Sequence, residues 1–391
     1  MKNPFEFGRT LSPRELVDRN DELAEVTSTL LSSSKLFLIG PRRFGKTSIL
    51  RAAEHKAESA GAVVLRYDAE AFPTLTQLAE RLLADATRRL TPTVEKASIA
   101  LRDLFSRLRP QVTIDSVTGD WSVSLAVTNA RKSIPLFTDV LDGIERLASR
   151  TTIPVAIILD EFQKVIEEGG PSAEAQLRAT VQHHKHLGYV FAGSKTRMLA
   201  DMTSDPNRPF YKLGKARFLG AIPRSDFARF LTRGFAAGTI IVDANAADAI
   251  LDAAEDVPYN VQLLAHACWD RCRESLGHGK SESAPLRLTV DAVRETRDFV
   301  ALRSDPTYTQ LWTRLSSIQQ RSLLALLREH GVGLSSIAVS KRYDLGIATL
   351  AKSLRLLEMK GIVREEQVHG ELRLRLEDPF FGAWIALTIP H

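Results

Sequence analysis

The chain has 391 residues, of which 44% are hydrophobic and 25% charged, as is typical of a globular protein with two or three domains. Its 52 basic and 47 acidic residues leave a net charge of +5, which permits a nucleic-acid partner without requiring one. With only two cysteines, the chain has no disulfide framework. The sequence shows no apolar run typical of a signal peptide or of a membrane-spanning helix, so we expect a cytoplasmic protein.

Short apolar runs alternate with segments of helical spacing through the first half of the chain. Strands are predicted at 35–40, 62–67, 153–159, 189–192 and 216–219, and helices at 21–31, 46–60, 75–90, 96–108, 136–149 and 172–186. This alternation predicts an α/β fold with a parallel sheet covered by helices on both faces. Period-two alternation across residues 111–127, around Gly119 and Asp120, predicts an inserted β-hairpin.

The second half of the chain has a different pattern. Residues 222–300 have helical spacing throughout, with a loop predicted at 281–285. Helices are then predicted at 317–329, 335–342 and 347–360, followed by strands at 363–367 and 371–376. Three helices followed by a hairpin is winged-helix order. We therefore predict a core with an N-terminal arm (1–221), a helical lid (222–305) and a winged helix (306–391).

Residues 40–47 match the GxxxxGK[ST] pattern between a predicted strand and a predicted helix, which is the context that a phosphate-binding P-loop requires. Gly45 lets the backbone close around a phosphate, and the N–H groups at the helix start face the anion. Lys46 supplies positive charge to the β- and γ-phosphates, and the Thr47 hydroxyl ligates Mg²⁺. The residues predicted to bind ATP here are Gly40, Pro41, Arg42, Arg43, Phe44, Gly45, Lys46, Thr47 and Ser48.

Two adjacent carboxylates, Asp160 and Glu161, follow the apolar run Ile157–Leu159. In a site that holds nucleotide, Asp160 would bind Mg²⁺ directly or through water, and Glu161 would act as general base on the attacking water. The alternative is a solvated acidic pair that begins the next helix, where the helix dipole favours negative charge. The P-loop upstream favours the catalytic interpretation.

Ser194, just past the predicted strand 189–192, is positioned to contact a γ-phosphate or the water, unless it is a simple turn residue. Farther along, Arg208 and Arg217 are candidates for an arginine finger, in trans if the protein forms a homo-oligomer. Each is equally well explained as a surface arginine.

Several runs together resemble the archaeal and bacterial AAA-type ATPases, which are relatives of the STAND class of signalling NTPases. These runs are GPRRFGKTS, LDEFQ, FAGS, VPYNVQLLAH and DPFFGAWI, in that order along nearly the whole chain. The resemblance implies a sheet in which the Ser194 strand lies between the P-loop strand and the Asp160 strand. If the protein is an ATPase switch, we expect ATP turnover that is slow or stimulated by a partner.

The resemblance further implies adenine contacts from two outlying segments. One is residues 17–22, similar to a box with Arg19 and Glu22, in which Asp18 stands where the family has glycine. The other is Val257-Pro258-Tyr259, similar to the proline box of the lid. Asp256 stands there in place of a glycine.

The winged helix has two candidate partners, duplex DNA and another protein. The basic residues that could face DNA are Lys341, Arg342, Lys352, Arg355, Lys360, Arg373 and Arg375, and the acidic residues that oppose them are Glu358, Glu365, Glu366 and Glu371. The sequence thus supports an ATPase switch, an ATP-regulated DNA-binding protein acting through its winged helix, or an oligomeric motor.

Overall fold

A computed structural model describes residues 2–8, 17–91, 93, 99, 103, 105, 110–114, 121–125, 133–274, 286–368 and 371–389. The chain divides into an N-terminal unit, Gly8–Ile222, and a C-terminal unit of Met1–Phe7 with Pro223–His391. No helix in the described part of the chain is both long and apolar enough to cross a membrane. The predicted helix at 96–108 lies almost wholly outside the described residues, as do the hairpin turn at 115–120 and the loop at 281–285.

The N-terminal unit is built on a parallel sheet, which confirms the predicted α/β class. Its strands are β1 (Lys35–Ile39), β2 (Val63–Asp68), β5 (Val155–Asp160), β6 (Leu187–Gly193) and β7 (Lys215–Phe218). The order across the sheet is β2-β5-β6-β1-β7, and every neighbouring pair is parallel. The strand that precedes Ser194 therefore lies between the P-loop strand and the Asp160 strand, as the family resemblance implies.

Helices cover both faces of this sheet. They are α1 (Asn20–Leu31), α2 (Lys46–Ser59), α3 (Leu75–Leu90), α4 (Ser133–Ala148), α5 (Gln163–Gly169), α6 (Ala173–Val181) and α7 (Thr196–Ser204). Successive strand residues point to opposite faces. Phe37, Ile157 and Phe191 join the apolar side chains of α3 and α4 in one cluster, and their strand neighbours are buried on the other face. Burial on both faces explains the unbroken apolar runs in the sequence.

Two antiparallel strands lie where the inserted hairpin is predicted. Strands β3 (Pro110–Ile114) and β4 (Trp121–Leu125) pair antiparallel, with Ile114 opposite Trp121. They form a separate two-stranded sheet and do not extend the parallel one.

The C-terminal unit is mainly helical. It contains α8 (Arg224–Ala237), β8 (Ile240–Val242), α9 (Ala246–Ala253), α10 (Pro258–Glu274), β9 (Leu286–Leu288), α11 (Val290–Arg303) and α12 (Asp305–Thr313). The rest is α13 (Ser317–Arg328), α14 (Ile337–Tyr343), α15 (Ile347–Met359), β10 (Val363–Val368), β11 (Glu371–Leu376) and α16 (Pro379–Thr388). Three helices followed by the antiparallel β10–β11 hairpin is the order that the sequence predicted.

Two features of this unit differ from the sequence prediction. The segment 222–300 is not helical throughout, because β8 and β9 pair in parallel. Each strand has only three residues, too few to show a period-two pattern. The chain also continues past the hairpin into α16, whose residues Phe380, Phe381, Trp384 and Ile385 are buried. A helix buried on several sides lacks the one-sided apolar stripe that marks a helix in sequence.

Residues 2–7 pack within the C-terminal unit, whereas the sequence places them as an arm on the first domain. Phe5 is fully buried, and its ring lies 4.6 Å from that of Phe235 and 6.1 Å from that of Trp269. A Cβ at Gly234 would lie 2.5 Å from the Phe5 ring, so glycine makes room for this anchor. Such a contact between distant parts of the chain has no local signal.

A buried ion network joins the turn before α10 to the β10–β11 hairpin. Glu255 contacts Arg364 at 3.1 Å and Arg375 at 3.4 Å. Glu366 contacts the same two guanidinium groups, at 3.5 Å and 2.6 Å. Arg364 is only 7% exposed. Because buried charges are costly unless paired, this network ties the hairpin to the segment that precedes Pro258.

Candidate active site

The loop between β1 and α2 turns through two left-handed residues. Gly45 has φ +91° and caps the start of α2, and Arg43 has φ +68°. Glycine adopts this region without strain, so its place at 45 follows from the sharp entry into the helix. The N–H groups of Lys46, Thr47 and Ser48 lie in the first turn of α2, at the end of the helix where backbone donors are presented. The loop therefore presents donors and the positive end of the helix dipole together.

Lys46 is held inside this loop. Its side chain is 5% exposed, and Nζ donates to the carbonyl oxygens of Gly40 at 2.8 Å and Pro41 at 3.0 Å. Gly40 itself packs closely, because a Cβ there would lie 2.8 Å from Cβ of Leu219. The ammonium group is thus fixed beside the loop donors, where an anion bound by the loop would meet it.

Thr47 and Asp160 are brought together by β5 and α2. The Thr47 hydroxyl donates a 2.9 Å hydrogen bond to Oδ2 of Asp160, which is 3% exposed. Burial raises the pKa of Asp160, and the bond from Thr47 opposes that effect. Two neighbouring ligands of an octahedral Mg²⁺ with metal–oxygen distances of about 2.0–2.1 Å lie about 2.9 Å apart. The two oxygens therefore fit one Mg²⁺.

Glu161 follows in a left-handed conformation, with φ +51°, which turns the chain sharply at the end of β5. The Ser194 hydroxyl donates to its Oε2 at 2.8 Å, and Nε2 of Gln163 donates to the same oxygen at 2.5 Å. Burial acts to raise the pKa of Glu161, but these two hydrogen bonds and the charge of Lys46 outweigh it, so the pKa is lowered. The carboxylate is therefore held ionised, as a proton acceptor must be.

Gln163 was not among the residues singled out from the sequence. It is 2% exposed and contacts both Glu161 and Ser194, the latter at 3.5 Å. The one sequence signal that could have pointed to Gln163 is its place as a polar residue in the run LDEFQ, which follows the apolar residues of β5. Nothing local shows that its amide reaches back to the preceding acid.

The other loop residues have distinct surroundings. Arg42 is exposed and pairs with Glu70 at 3.1 Å. Phe44 is 5% exposed, and Ser48, the third residue of α2, is 9% exposed. Phe44 thus anchors the loop through apolar packing, while Arg42 stays near the surface.

Arg19, assigned to an adenine-contacting box by resemblance, is buried at the start of α1. Its guanidinium donates to Glu22 at 3.0 Å and to the carbonyl oxygen of Gly220 at 2.6 Å. Burial lowers the pKa of Arg19, against the opposing effect of Glu22. These bonds connect α1 to the segment after β7, whose Leu219 packs on Gly40.

Both aspartates that stand where the family has glycine adopt backbone conformations that glycine favours. Asp18, next to Arg19, has φ +44°. Asp256, two residues before Pro258, has φ +56°, and Pro258 begins α10 in the C-terminal unit. Asp is among the residues that tolerate this region best. The two departures therefore change the residue type but keep a left-handed turn.

The two candidate finger arginines are both paired within the chain. Arg208 forms a double hydrogen bond with the Glu174 carboxylate, which raises the pKa of Arg208. Arg217 donates to Glu25 at 2.6 Å. Either guanidinium would have to leave its carboxylate before serving a second site. Their role as arginine fingers stays a prediction.

No family model and no curated protein matches this chain. Among solved structures, it is similar to a Walker-type ATPase of Pyrococcus abyssi, with a TM-score of 0.60 and 16% identity, covering 98% of this chain and 99% of that one. It is also similar to the Aeropyrum pernix ORC2 protein in its ADPNP–ADP complexes, with a TM-score of 0.52 and 15% identity, covering 99% of this chain and 97% of that one. These likenesses show that the chain has the fold of P-loop ATPases.

Proposed function

We propose that this protein binds and hydrolyses ATP with Mg²⁺ and acts as a nucleotide-dependent switch. One observation carries the proposal: Thr47 at the P-loop meets Asp160, and Ser194 meets Glu161, at the ends of three adjacent strands. A metal-ligand pair and a candidate base beside a phosphate-binding loop are the parts that ATP hydrolysis needs. Two similar solved structures support the proposal, because one is of a Walker-type ATPase and the other holds ADPNP and ADP.

Phosphate binding is assigned to the P-loop. The N–H groups at the start of α2 would face the phosphate oxygens, and Lys46 would shift its hydrogen bonds from the Gly40 and Pro41 carbonyls to the β- and γ-phosphates. Thr47 and Asp160 would hold Mg²⁺, which supplies charge neutralisation and Lewis-acid polarisation of the phosphates.

Water activation is assigned to Glu161. Its carboxylate is ionised and held at Oε2, so it would accept the proton as water attacks the γ-phosphorus and the bond from that phosphorus to the bridging oxygen breaks, releasing ADP. Ser194 orients that carboxylate from the neighbouring strand. On the family resemblance alone, Arg19 and Pro258 each stay predicted adenine contacts; Asp18 and Asp256, which stand where the family has glycine, keep left-handed backbone conformations.

The test is Mg²⁺-dependent release of phosphate from ATP by the full chain. Lys46→Ala should weaken ATP binding about 100-fold, since loss of one partner of a buried charge pair costs about 3 kcal/mol. Lys56→Ala is the matched control, because Lys56 is an exposed lysine at the other end of α2. Tight ATP binding by Lys46→Ala would rule out this site.

A second candidate, ATP-regulated binding of duplex DNA through α13–α15 and the hairpin, rests on the exposed face of α15. Lys352, Arg355 and Lys360 are exposed and form no ion pair with any residue that the structure describes. Arg342 and Arg375 contribute less free charge than the sequence indicates, because Arg342 pairs with Glu329 and Arg375 with Glu255 and Glu366. A protein partner for this face is the competing assignment.

Duplex binding across a salt series decides between DNA and protein. Phosphate contacts make the affinity for DNA fall steeply as salt concentration rises. If Lys352 and Arg355 each contact a phosphate, the double variant Lys352→Ala/Arg355→Ala should reduce the slope of log affinity against log salt concentration by about 2. Absence of duplex binding at low salt with ATP present would remove the DNA candidate and leave a protein partner. A mass measurement with an ATP analogue tests the proposed homo-oligomer.

A further inference from the structure

Gln163 is a buried glutamine whose amide nitrogen is hydrogen-bonded and whose amide oxygen, within the part of the chain that the structure describes, is not. It is the first residue of α5 and 2% exposed. Its Nε2 donates to Glu161 at 2.5 Å, while its Oε1 has no hydrogen-bond partner among the described residues. The opposite amide orientation would place Oε1 against the Glu161 carboxylate, so the carboxylate determines which way the amide points.

The neighbouring strand leaves room for this amide only because it ends in glycine. A Cβ at Gly193 would lie 2.2 Å from Oε1 of Gln163, closer than two such atoms approach. The next residue is Ser194, whose hydroxyl bonds the same Glu161 oxygen. The end of β6 therefore supplies both a space for Gln163 and the second donor to Glu161.

Both donors act on Oε2, and no described residue donates a hydrogen bond to Oε1 of Glu161. The backbone at Glu161 is itself constrained. It has φ +51°, its N–H donates to Oδ1 of Asp160 at 3.1 Å, and the next N–H, of Phe162, donates to the carbonyl of Ala192 at 2.8 Å. One carboxylate oxygen is thus clamped from two sides, and the other is left as an acceptor.

We propose that Gln163 is the positioning residue of the active site: with Ser194 it clamps Oε2 of Glu161 so that Oε1 faces the attacking water. This inference rests on the proposed ATPase function. Gln163 touches neither nucleotide nor water in this assignment; it acts through Glu161. The clamp matters because a carboxylate that rotates freely would spend little time in the orientation that accepts the proton.

The experiment is steady-state ATP hydrolysis by Gln163→Met, which keeps the length of the side chain and removes its donor. The clamp predicts a fall in kcat of about 10- to 100-fold, the size expected for a lost hydrogen bond to a charged group. KM and the Kd for ATP should stay within about twofold, because the Gln163 amide donates to Glu161 and Ser194 rather than to the P-loop. Gln319→Met, which removes a buried glutamine from the capping box of α13, is the control and should leave kcat unchanged.

A second variant separates this inference from the proposed function. Glu161→Gln should lose turnover, and adding Gln163→Met to it should cause no further loss, since Gln163 acts only through Glu161. If Glu161→Gln loses turnover while Gln163→Met keeps the wild-type kcat, the clamp is wrong and the base assignment survives. A kcat that rises in Gln163→Met also overturns the clamp, because the hydrogen bond from Gln163 would then hinder catalysis by Glu161 instead of assisting it. Unchanged turnover in Glu161→Gln instead removes the proposed base.

Discussion

The hydroxyl of Thr47 donates a 2.9 Å hydrogen bond to Oδ2 of Asp160, across a separation of 113 residues. Thr47 is the second residue of α2, and Asp160 is the last residue of β5. The strand that carries the P-loop is not next to β5, because β6 lies between them. The bond therefore spans the carboxyl edge of the sheet, where ligands of open α/β sheets bind.

This pairing predicts that Thr47 contributes to Mg²⁺-dependent ATP affinity through its hydroxyl. Thr47→Val keeps the shape of the side chain and should weaken ATP binding in Mg²⁺ about 10- to 100-fold, with a smaller effect in EDTA. Thr47→Ser keeps the hydroxyl and should bind nearly as well as the wild type. The measurement is calorimetric titration of ATP with and without Mg²⁺. A loss of affinity in Thr47→Ser with none in Thr47→Val would show that packing of the Thr47 methyl group, not its hydroxyl, matters.

Glu161→Gln should retain ATP binding and lose turnover by about 10²- to 10⁴-fold, the usual contribution of a general base. The amide keeps the size of the carboxylate but cannot accept the proton. Glu168→Gln makes the same chemical change in the partly exposed last turn of α5, where Glu168 pairs with Lys164, and should leave kcat intact. Phosphate release and nucleotide affinity, measured on the same preparations, check both expectations.

Asp18→Gly should stabilise the N-terminal unit by up to about 1 kcal/mol. Asp18 is exposed and has φ +44°, a region that costs L residues about 1–2 kcal/mol and glycine almost nothing. Asp21→Gly, three residues later in the first turn of α1, should instead destabilise, because glycine within a helix costs about 0.5–1 kcal/mol. Thermal melts of the two variants should therefore move in opposite directions. A melting temperature that falls in both would contradict a left-handed turn at Asp18.

Arg364→Met should destabilise the C-terminal unit by about 3 kcal/mol. The substitution leaves Glu255 and Glu366 with one guanidinium group instead of two, and breaking a buried ion pair from one side strands a charge. The apparent melting temperature should fall by several degrees. Arg355→Met, on the exposed face of α15, is the matched control and should change it little. Equal melting temperatures for the two variants would show that the network adds nothing to stability.

Local patterns predicted most of the elements that surround the site. Buried strands such as β1 and β5 are uninterrupted apolar runs, and the P-loop has its glycine and lysine at the required spacing, so both could be located without coordinates. The pairs Thr47–Asp160 and Ser194–Glu161 depended on strand order, which the family resemblance implied and the structure confirmed. The short strands β8 and β9 and the buried helix α16 were missed because neither has a periodic pattern.

The amino-acid sequence by itself determined the class of fold and the conformation of the loop before α2, because apolar periodicity and glycine placement act over a few neighbouring residues. Only the tertiary structure decided that Gln163 turns back to Glu161 and that Arg208 is held by Glu174. It also decided that Arg375 on the hairpin is paired with Glu255. These side chains are long and polar, and each has many candidate partners in the sequence. The partner is selected by which backbone segments the packed core brings within hydrogen-bond distance, and that selection has no local signature.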